Sequence, residues 1–494
     1  MQSVSRLTLL LCCLWAATIL YGEMIAYWIP LSSCSWPQPQ HLDGARVLLK
    51  VAVVADPQVM DRTSLSLPPA SFVLGAVQFY TDLYMRRSFR SSVLPFDPHV
   101  LVFLGDHFDG GPFLSDQEWQ ESLRRFRHIF SLQTGRKSDM SVYYLSGNHD
   151  IGYSSFHSLY PKVISRYEQE FGARNYYFSA GKVDFIVVDA QTLDGPVQKK
   201  QTSLSWDFIK NVSKVDSLNP RILLTHIPLY RPDDTPCGPY RSSSVINQRI
   251  AYATPDQEIK YQNYLSSETS SKLLGLIRPI LVLSGHDHDQ CTVTHSTPLG
   301  DVPEHTLGTI SWQQGNLYPS FMLLTVTGPS NLTSTKPEVS TQLCFLPMQT
   351  HIYVWYLSQF VMTLLLLVIW PTNGFGCWDR FSQCKSSVTM HLVKKASTPA
   401  PVTKTDAGST GRGNVTLRAA AKKHTSQGPE ESKTILNRSL NAKSDQTGKS
   451  TRLSKSKARI LIQRLLRVVR SVVVIAAVNV PLYMMLLFKD WIDQ

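Results

Sequence analysis

Six short apolar runs punctuate the chain between residues 46 and 330: Val47–Ala55, Val100–Leu104, Val142–Leu145, Phe185–Val188, Ile222–Leu224 and Ile280–Leu283. Their near-continuous Val, Ile and Leu content predicts strands buried on both faces. Stretches of helical character lie between them, such as Ser71–Phe89 and Asp116–Phe130. The second opens on Ser115 with Glu118 three residues later, the pattern of a capping box. Strands alternating with helices predict an α/β fold, a β-sandwich flanked by helices, over residues 46–330.

Three longer apolar stretches have a different character. Leu7–Tyr21 predicts an N-terminal signal anchor within residues 1–22, uncleaved because Leu20-Tyr21-Gly22 offers no small-x-small site. Ile352–Trp370 carries no charge and has about the ~20 residues that a bilayer core requires, so residues 352–370 predict a transmembrane helix. Ser471–Phe488 includes Asn479 and Pro481, both tolerated where helices pack together in a membrane. It predicts a last transmembrane helix within residues 458–488, preceded by a basic amphipathic lead-in with Arg459, Arg464, Arg467 and Arg470. Residues 372–457 form a basic segment whose Ser-, Thr-, Lys-, Ala- and Gly-rich part buries too little to offset its ordering entropy, so disorder is expected there.

Charge is confined in the same way. The chain carries a formal +12, but Cys377 to Arg470 alone holds 20 Lys+Arg against 5 Asp+Glu. The remainder is slightly acidic, which removes the basis for a nucleic-acid partner. Basic residues beside membrane segments tend to stay cytosolic, which places the region from Glu23 to Thr350 on the lumenal side. Cys34, Cys237, Cys291 and Cys344 fall in that region, an even number suited to an oxidising compartment. Asn211-Val-Ser and Asn331-Leu-Thr are glycosylation sequons there.

Each of five apolar runs ends in residues of metal-ligand type: Asp56 and Gln58; Asp106; Asn148, His149 and Asp150; His226; and His286 with His288. In α/β folds ligands gather beyond the carboxyl ends of the strands, so the five clusters are expected to converge. A lone Asp or His at a strand end is commonly a turn or a cap. The ordered set points to two divalent cations, ~3.5–4 Å apart and sharing a carboxylate, that activate water to attack phosphorus. Asp106 is the expected bridge, with Asp56, Gln58 and His288 completing one site and Asn148, His226 and His286 the other. Mixed N/O donors suit Mn²⁺, Zn²⁺ or Fe. His149 is left to stabilise the transition state and protonate the leaving alkoxide, with Asp150 orienting its ring.

The ordered motifs resemble the calcineurin-like metallophosphoesterase superfamily over residues 50–295. Many members have His where this chain has Gln58, and an amide oxygen is the poorer ligand. A narrower resemblance is to the membrane-bound branch that trims ethanolamine phosphate from the GPI glycan. It is carried by Ala55-Asp56-Pro57-Gln58, the Thr81–Arg87 stretch, Gly105-Asp106 with Asp109-Gly110-Gly111, and the run His226-Ile227-Pro228-Leu229-Tyr230-Arg231 before Cys237-Gly238-Pro239. Gly285-His286-Asp287-His288 before Cys291 and His295 completes it. The resemblance implies a manganese-dependent phosphodiesterase of the endoplasmic reticulum or Golgi membrane, acting from the lumen on a GPI-type glycolipid or GPI-anchored protein. Another lipid or phosphomonoester substrate is compatible with the same motifs, and a non-enzymatic metal-handling or scaffold role would leave His149 and Asp150 without a task. Cys237 and Cys291 each follow a ligand motif and either form a disulfide or remain buried thiols. Tyr230, Arg231, Arg241 and His295 either bind the anionic substrate or make structural pairs.

Overall fold

The computed structural model describes residues 6–38, 46–68, 71–131, 140–253, 258–328, 337–370 and 447–492. Two sheets form the centre of the region from Arg46 to Phe345. The first has the order β13-β12-β1-β2-β3, where β1 is Arg46–Val54, β2 Val100–Phe103, β3 Ser141–Tyr144, β12 Ser320–Gly328 and β13 Glu338–Phe345. The second has the order β10-β11-β9-β6-β5-β4, where β4 is Tyr176–Ala180, β5 Val183–Val188, β6 Arg221–Thr225, β9 Leu281–Ser284, β10 Cys291–Thr297 and β11 Gly300–Thr306. A hairpin of β7 (Ile250–Ala253) and β8 (Glu258–Gln262) stands apart from both.

β1, β2 and β3 run parallel in one sheet, with β3 at its edge, and β5, β6, β9 and β11 run parallel in the other; β12, β13, β4 and β10 are added by antiparallel pairing. Strand alternation divides each apolar run between two cores. Val51 and Val53 of β1 meet Phe185, Val187, Leu224 and Leu283 between the sheets. Ala52 and Val54 face outward against Tyr84 and Phe126, which belong to α3 (Phe72–Ser88) and α4 (Asp116–Ile129). On the far side Ile186, Leu223 and Val282 pack on Trp206, Ile209 and Leu273, from α8 (Lys200–Ser213) and α9 (Ser267–Ile277). The layers are helix, sheet, sheet, helix, as the pattern predicts. The capping box at Ser115 and Glu118 is formed, and Ser71 caps α3.

The sheet extends past the expected boundary at residue 330. β13 pairs with β12 along its whole length, and Cys344 near its end is bridged to Cys34. The second bridge joins Cys237 to Cys291. Short helices α5 (Asn148–Ile151), α6 (Ser154–Leu159) and α7 (Lys162–Phe171) follow β3.

Among the described residues, three helical stretches are long and apolar enough to cross a membrane: Arg6–Ser33, Gln349–Ile369 and Ala458–Trp491. The first comprises α1 (Arg6–Glu23) and α2 (Ile29–Ser33), the second is α10 (Gln349–Ile369), and the third lies in α11 (Thr447–Trp491). Of the basic segment, residues 372–446 lie outside the described residues, as does the sequon at Asn331. Residues 447–457, expected to lack regular structure, instead open α11. Lys, Arg, Leu and Ala propagate a helix already nucleated by its apolar part, which the compositional argument overlooks.

Arg87 at the end of α3 ties the sandwich to the apolar helices. Its guanidinium bonds Glu23 of α1, the Asp490 carboxylate of α11 at 2.9 Å and the Leu486 carbonyl at 3.0 Å. Tyr356 of α10 donates to the other Glu23 oxygen at 2.9 Å. Arg87 and Glu23 are both almost fully buried. Removing one partner leaves a buried charge uncompensated, so Arg87→Leu is expected to destabilise the folded chain by about 3–5 kcal/mol. Thermal unfolding in detergent reads this, and an unchanged midpoint would show that the junction contributes nothing.

Candidate metal centre

Every ligand-type cluster sits at the carboxyl end of a parallel strand. Asp56 and Gln58 follow β1, Asp106 follows β2, Asn148 opens α5 after β3, His226 follows β6, and His286 and His288 follow β9. The loops of both sheets thereby meet at one end of the sandwich. His226 Nε2 lies 3.2 Å from Asp106 Oδ2 and 3.1 Å from Asn148 Oδ1. Gln58 Nε2 lies 3.2 Å from Asp106 Oδ2 and 3.0 Å from His288 Nε2. Donor atoms of Asp106, His226 and His286 all fall within 4.8 Å of one another, and so do those of Asp56, Asp106 and His288. Asp106 belongs to both groups, as a bridging carboxylate must.

The backbone is bent to bring these side chains together. Asp56, Gln58, Asp106, His286 and His288 all have left-handed φ between 41° and 71°, a conformation costing roughly 1–3 kcal/mol for a residue with a Cβ. Such strain persists where surrounding structure and function hold it in place. Two glycines permit the approach. A Cβ on Gly147 would fall 2.0 Å from Asp106 Oδ1, and one on Gly105, at φ +96°, would fall 2.5 Å from His226 Nδ1. His226 Nδ1–H donates to the Leu104 carbonyl at 2.7 Å, which leaves Nε2 as the ligating atom. His286 Nε2 faces the Gln262 carbonyl at 3.1 Å, and its amide donates to Asp56.

The donor set fits two divalent cations. Burial pushes His286 down to about 3 and His288 to about 4, and the positive His226 adds to both shifts. Both rings are therefore neutral, the form that ligates. Burial raises Asp56 to about 8, with Asp106 repelling it further. Against its own burial, Asp106 is held well below the usual carboxylate range by His226 and His149. Likewise the Asp106 carboxylate raises His226 to about 9 although burial opposes it. Packed carboxylates and imidazoles of this kind need positive charge among them. Gln58 Oε1 is buried without a hydrogen-bond partner, an oxygen suited to a cation.

His149 lies beside this group, and its partner differs from the expected one. Its Nδ1 bonds the Asp109 carbonyl and is 3.6 Å from the Asp109 carboxylate. Asp150 instead receives the amides of His107, Phe108 and Gly147 and the His107 Nδ1–H. Successive residues of the α5 turn point about 100° apart, so Asp150 braces the β2 loop from beneath while His149 faces outward. Although burial pulls the His149 pKa down, Asp106 and the Asp109 carbonyl and carboxylate raise it above the ordinary histidine value. Asp109, quoted in the Gly105–Gly111 motif without a role, is the residue that the sequence reading missed.

Three of the four expected substrate contacts are structural pairs. Arg231, 2% exposed, bonds Asp287 and the Tyr264 hydroxyl. Arg241 makes two bonds to the same carboxylate at 2.7 and 2.8 Å. His295 on β10 bonds Glu304 at 2.7 Å. A buried carboxylate between His286 and His288 requires compensation, and these arginines supply it. Only Tyr230, half-buried with its amide on Ser270 at 2.9 Å, stays available. Arg241→Ala is therefore expected to weaken metal affinity by about 10–100-fold, as loss of an outer partner does. Metal titration followed by mass-spectrometric metal analysis measures it; unaltered affinity would separate the arginine from the centre.

The calcineurin-like phosphoesterase family matches residues 49–290. Cell division control protein 1 of Saccharomyces cerevisiae is 29% identical over 358 residues, covering 69% of this chain and 70% of that protein. Metallophosphoesterase 1 of Xenopus laevis is 28% identical over 71% of this chain and 86% of that protein, and its Mus musculus counterpart 29% identical over the same shares. The family binds a dinuclear metal site, and the two clusters sharing Asp106 lie within the matched residues. Residues 49–290 thus constitute a calcineurin-like metallophosphoesterase domain, that of a metal-dependent phosphoester hydrolase.

Proposed function

We propose that this chain is a two-metal phosphodiesterase that removes ethanolamine phosphate from the GPI glycan, working from the lumen of the endoplasmic reticulum or Golgi. One observation carries the reading: a seven-residue donor set, buried at Asp56, Gln58, Asp106 and His226 and half-buried at Asn148, His286 and His288, with His149 beside it, in a domain joined to apolar helices. The two bridges, Cys34–Cys344 and Cys237–Cys291, suit an oxidising lumen. The exposed sequon residue Asn211 suits a glycoprotein.

In this reading Asp56, Gln58 and His288 hold one cation, Asn148, His226 and His286 the other, and Asp106 both. Two amide oxygens and two carboxylates make the set rich in hard donors, which favours Mn²⁺. When bound, the cations polarise the phosphoryl oxygens and lower the pKa of a coordinated water. The residues do the rest. His149 is held by Asp109 through Nδ1, and its Nε2 hands a proton to the departing alkoxide. Tyr230 lies on the loop that carries His226 and meets the glycan.

Mass spectrometry of GPI glycans from cells with and without the protein tests the substrate. Loss of the protein is expected to leave ethanolamine phosphate on a mannose that normally lacks it. An unchanged pattern, together with hydrolysis of bis-nitrophenyl phosphate by the purified protein, would reject the GPI substrate while keeping the enzyme.

A further inference from the structure

A cavity of about 650 Å³ lies away from the metal centre, between the sandwich and the apolar helices. One wall comes from the α1 to α2 stretch, with Tyr21, Ile29 and Ser33, and a second from Met348 and the α10 residues Ile352 and Trp355 that follow it. The third wall belongs to the catalytic domain, where Tyr240, Tyr318 and Phe345 form a run of ring contacts, 5.2 Å from Tyr240 to Phe345 and 6.0 Å from Tyr318 to Phe345. Its volume is that of an ordinary ligand site, and its lining is almost wholly apolar or aromatic.

Two features show what fits. Large apolar side chains stand open in it, Trp355 at 60% and Tyr240 at 54% exposure, which on a water-facing surface would be a liability. Two of the walls are continuous with stretches long and apolar enough to cross a bilayer, so hydrocarbon reaches the cavity without passing through water. Tyr and Trp at such a junction match the level of the membrane interface. The walls are also fixed in place. Cys34, next to Ser33, is bridged to Cys344, next to Phe345. Tyr240 lies between Cys237, bridged to Cys291, and Arg241, which holds the Asp287 carboxylate between His286 and His288.

We propose that this cavity binds an acyl chain of a bilayer phospholipid, seating the loop of Tyr240 and Arg241, and with it the mouth of the metal centre, on the membrane surface. The assignment is independent of which ester the centre cleaves.

The test uses the full chain in nanodiscs made with a phosphatidylcholine that carries a photoreactive diazirine on one acyl chain. After irradiation, label is expected to concentrate on the peptides bearing Tyr240, Tyr318 and Trp355, above Leu357 and Val361, which are exposed on α10 outside the cavity. Ser33→Phe and, separately, Met348→Trp fill the cavity. Each is expected to lower label at Tyr240 and Tyr318 several-fold and leave Leu357 and Val361 unchanged. Unfolding midpoints and metal content identify which variant is folded. Label spread evenly over α10 and the loop, or retained at Tyr240 in a folded filled variant, would overturn the assignment.

Discussion

Asp106→Asn is expected to take the metal content from two ions per chain to fewer than one, and to lower phosphodiester hydrolysis by about 10³-fold or more. The size follows from the charge that the residue supplies. Asp106 belongs to both clusters, and its Oδ2 is within 3.2 Å of both His226 and Gln58. No other carboxylate is shared between them among the described residues. Metal stabilisation of a phosphoryl transition state is worth several kcal/mol, and each 1.4 kcal/mol is about tenfold in rate. The amide keeps the shape of the side chain and can still accept the His149 amide, which Oδ1 does now at 2.8 Å, so the fold should survive. Gln58→Ala is the contrast, since it removes a donor from one cluster only and should leave one ion bound. Metal analysis of the two variants side by side decides the matter. Two ions retained in Asp106→Asn would remove the bridge from the reading.

The two halves of the centre were legible because each donor follows a short apolar run that marks a strand, buried throughout in β2 and β9 and left half-exposed in β3 at the sheet edge. Strand ends converge by the geometry of parallel sheets, so position in the chain substitutes for position in space. The same logic reached the Cys237–Cys291 neighbourhood, because both cysteines lie a few residues past a ligand motif. It stopped where geometry depends on orientation rather than order. Asp150 is adjacent to His149 in sequence but turned away by the α5 turn, whereas Asp109, forty residues upstream, reaches the ring. Arg231 and Arg241 look like phosphate contacts until Asp287 is seen buried between them, and burial of that carboxylate has no signature in a Gly-His-Asp-His string. Strands β10, β11 and β13 alternate buried with exposed positions and carry polar residues on their open faces, so they lack the continuous apolar run that marks an inner strand. Cys34 and Cys344 are 310 residues apart, and only pairing of β13 with β12 explains how they meet.

His149→Ala is expected to leave both metal ions bound and to lower hydrolysis of an alkyl phosphodiester by about 10²–10⁴-fold, the usual worth of a positioned general acid. The prediction separates two tasks that the cluster performs in one place. His149 is not among the residues whose donor atoms gather within 4.8 Å, and its Nδ1 is taken by Asp109. Its loss therefore removes a proton and a positive charge, but no ligand. The leaving group makes the roles distinguishable. An alkoxide departs poorly without a proton, whereas a nitrophenolate departs readily without one, so the deficit should shrink markedly on bis-nitrophenyl phosphate. If His149 served instead as a ligand, metal content would fall and both substrates would suffer alike. If it only stabilised charge on the phosphoryl oxygens, both would again lose equally, this time with metals in place. An alkyl-ester rate unchanged in a variant that holds two ions would exclude the residue from the chemistry.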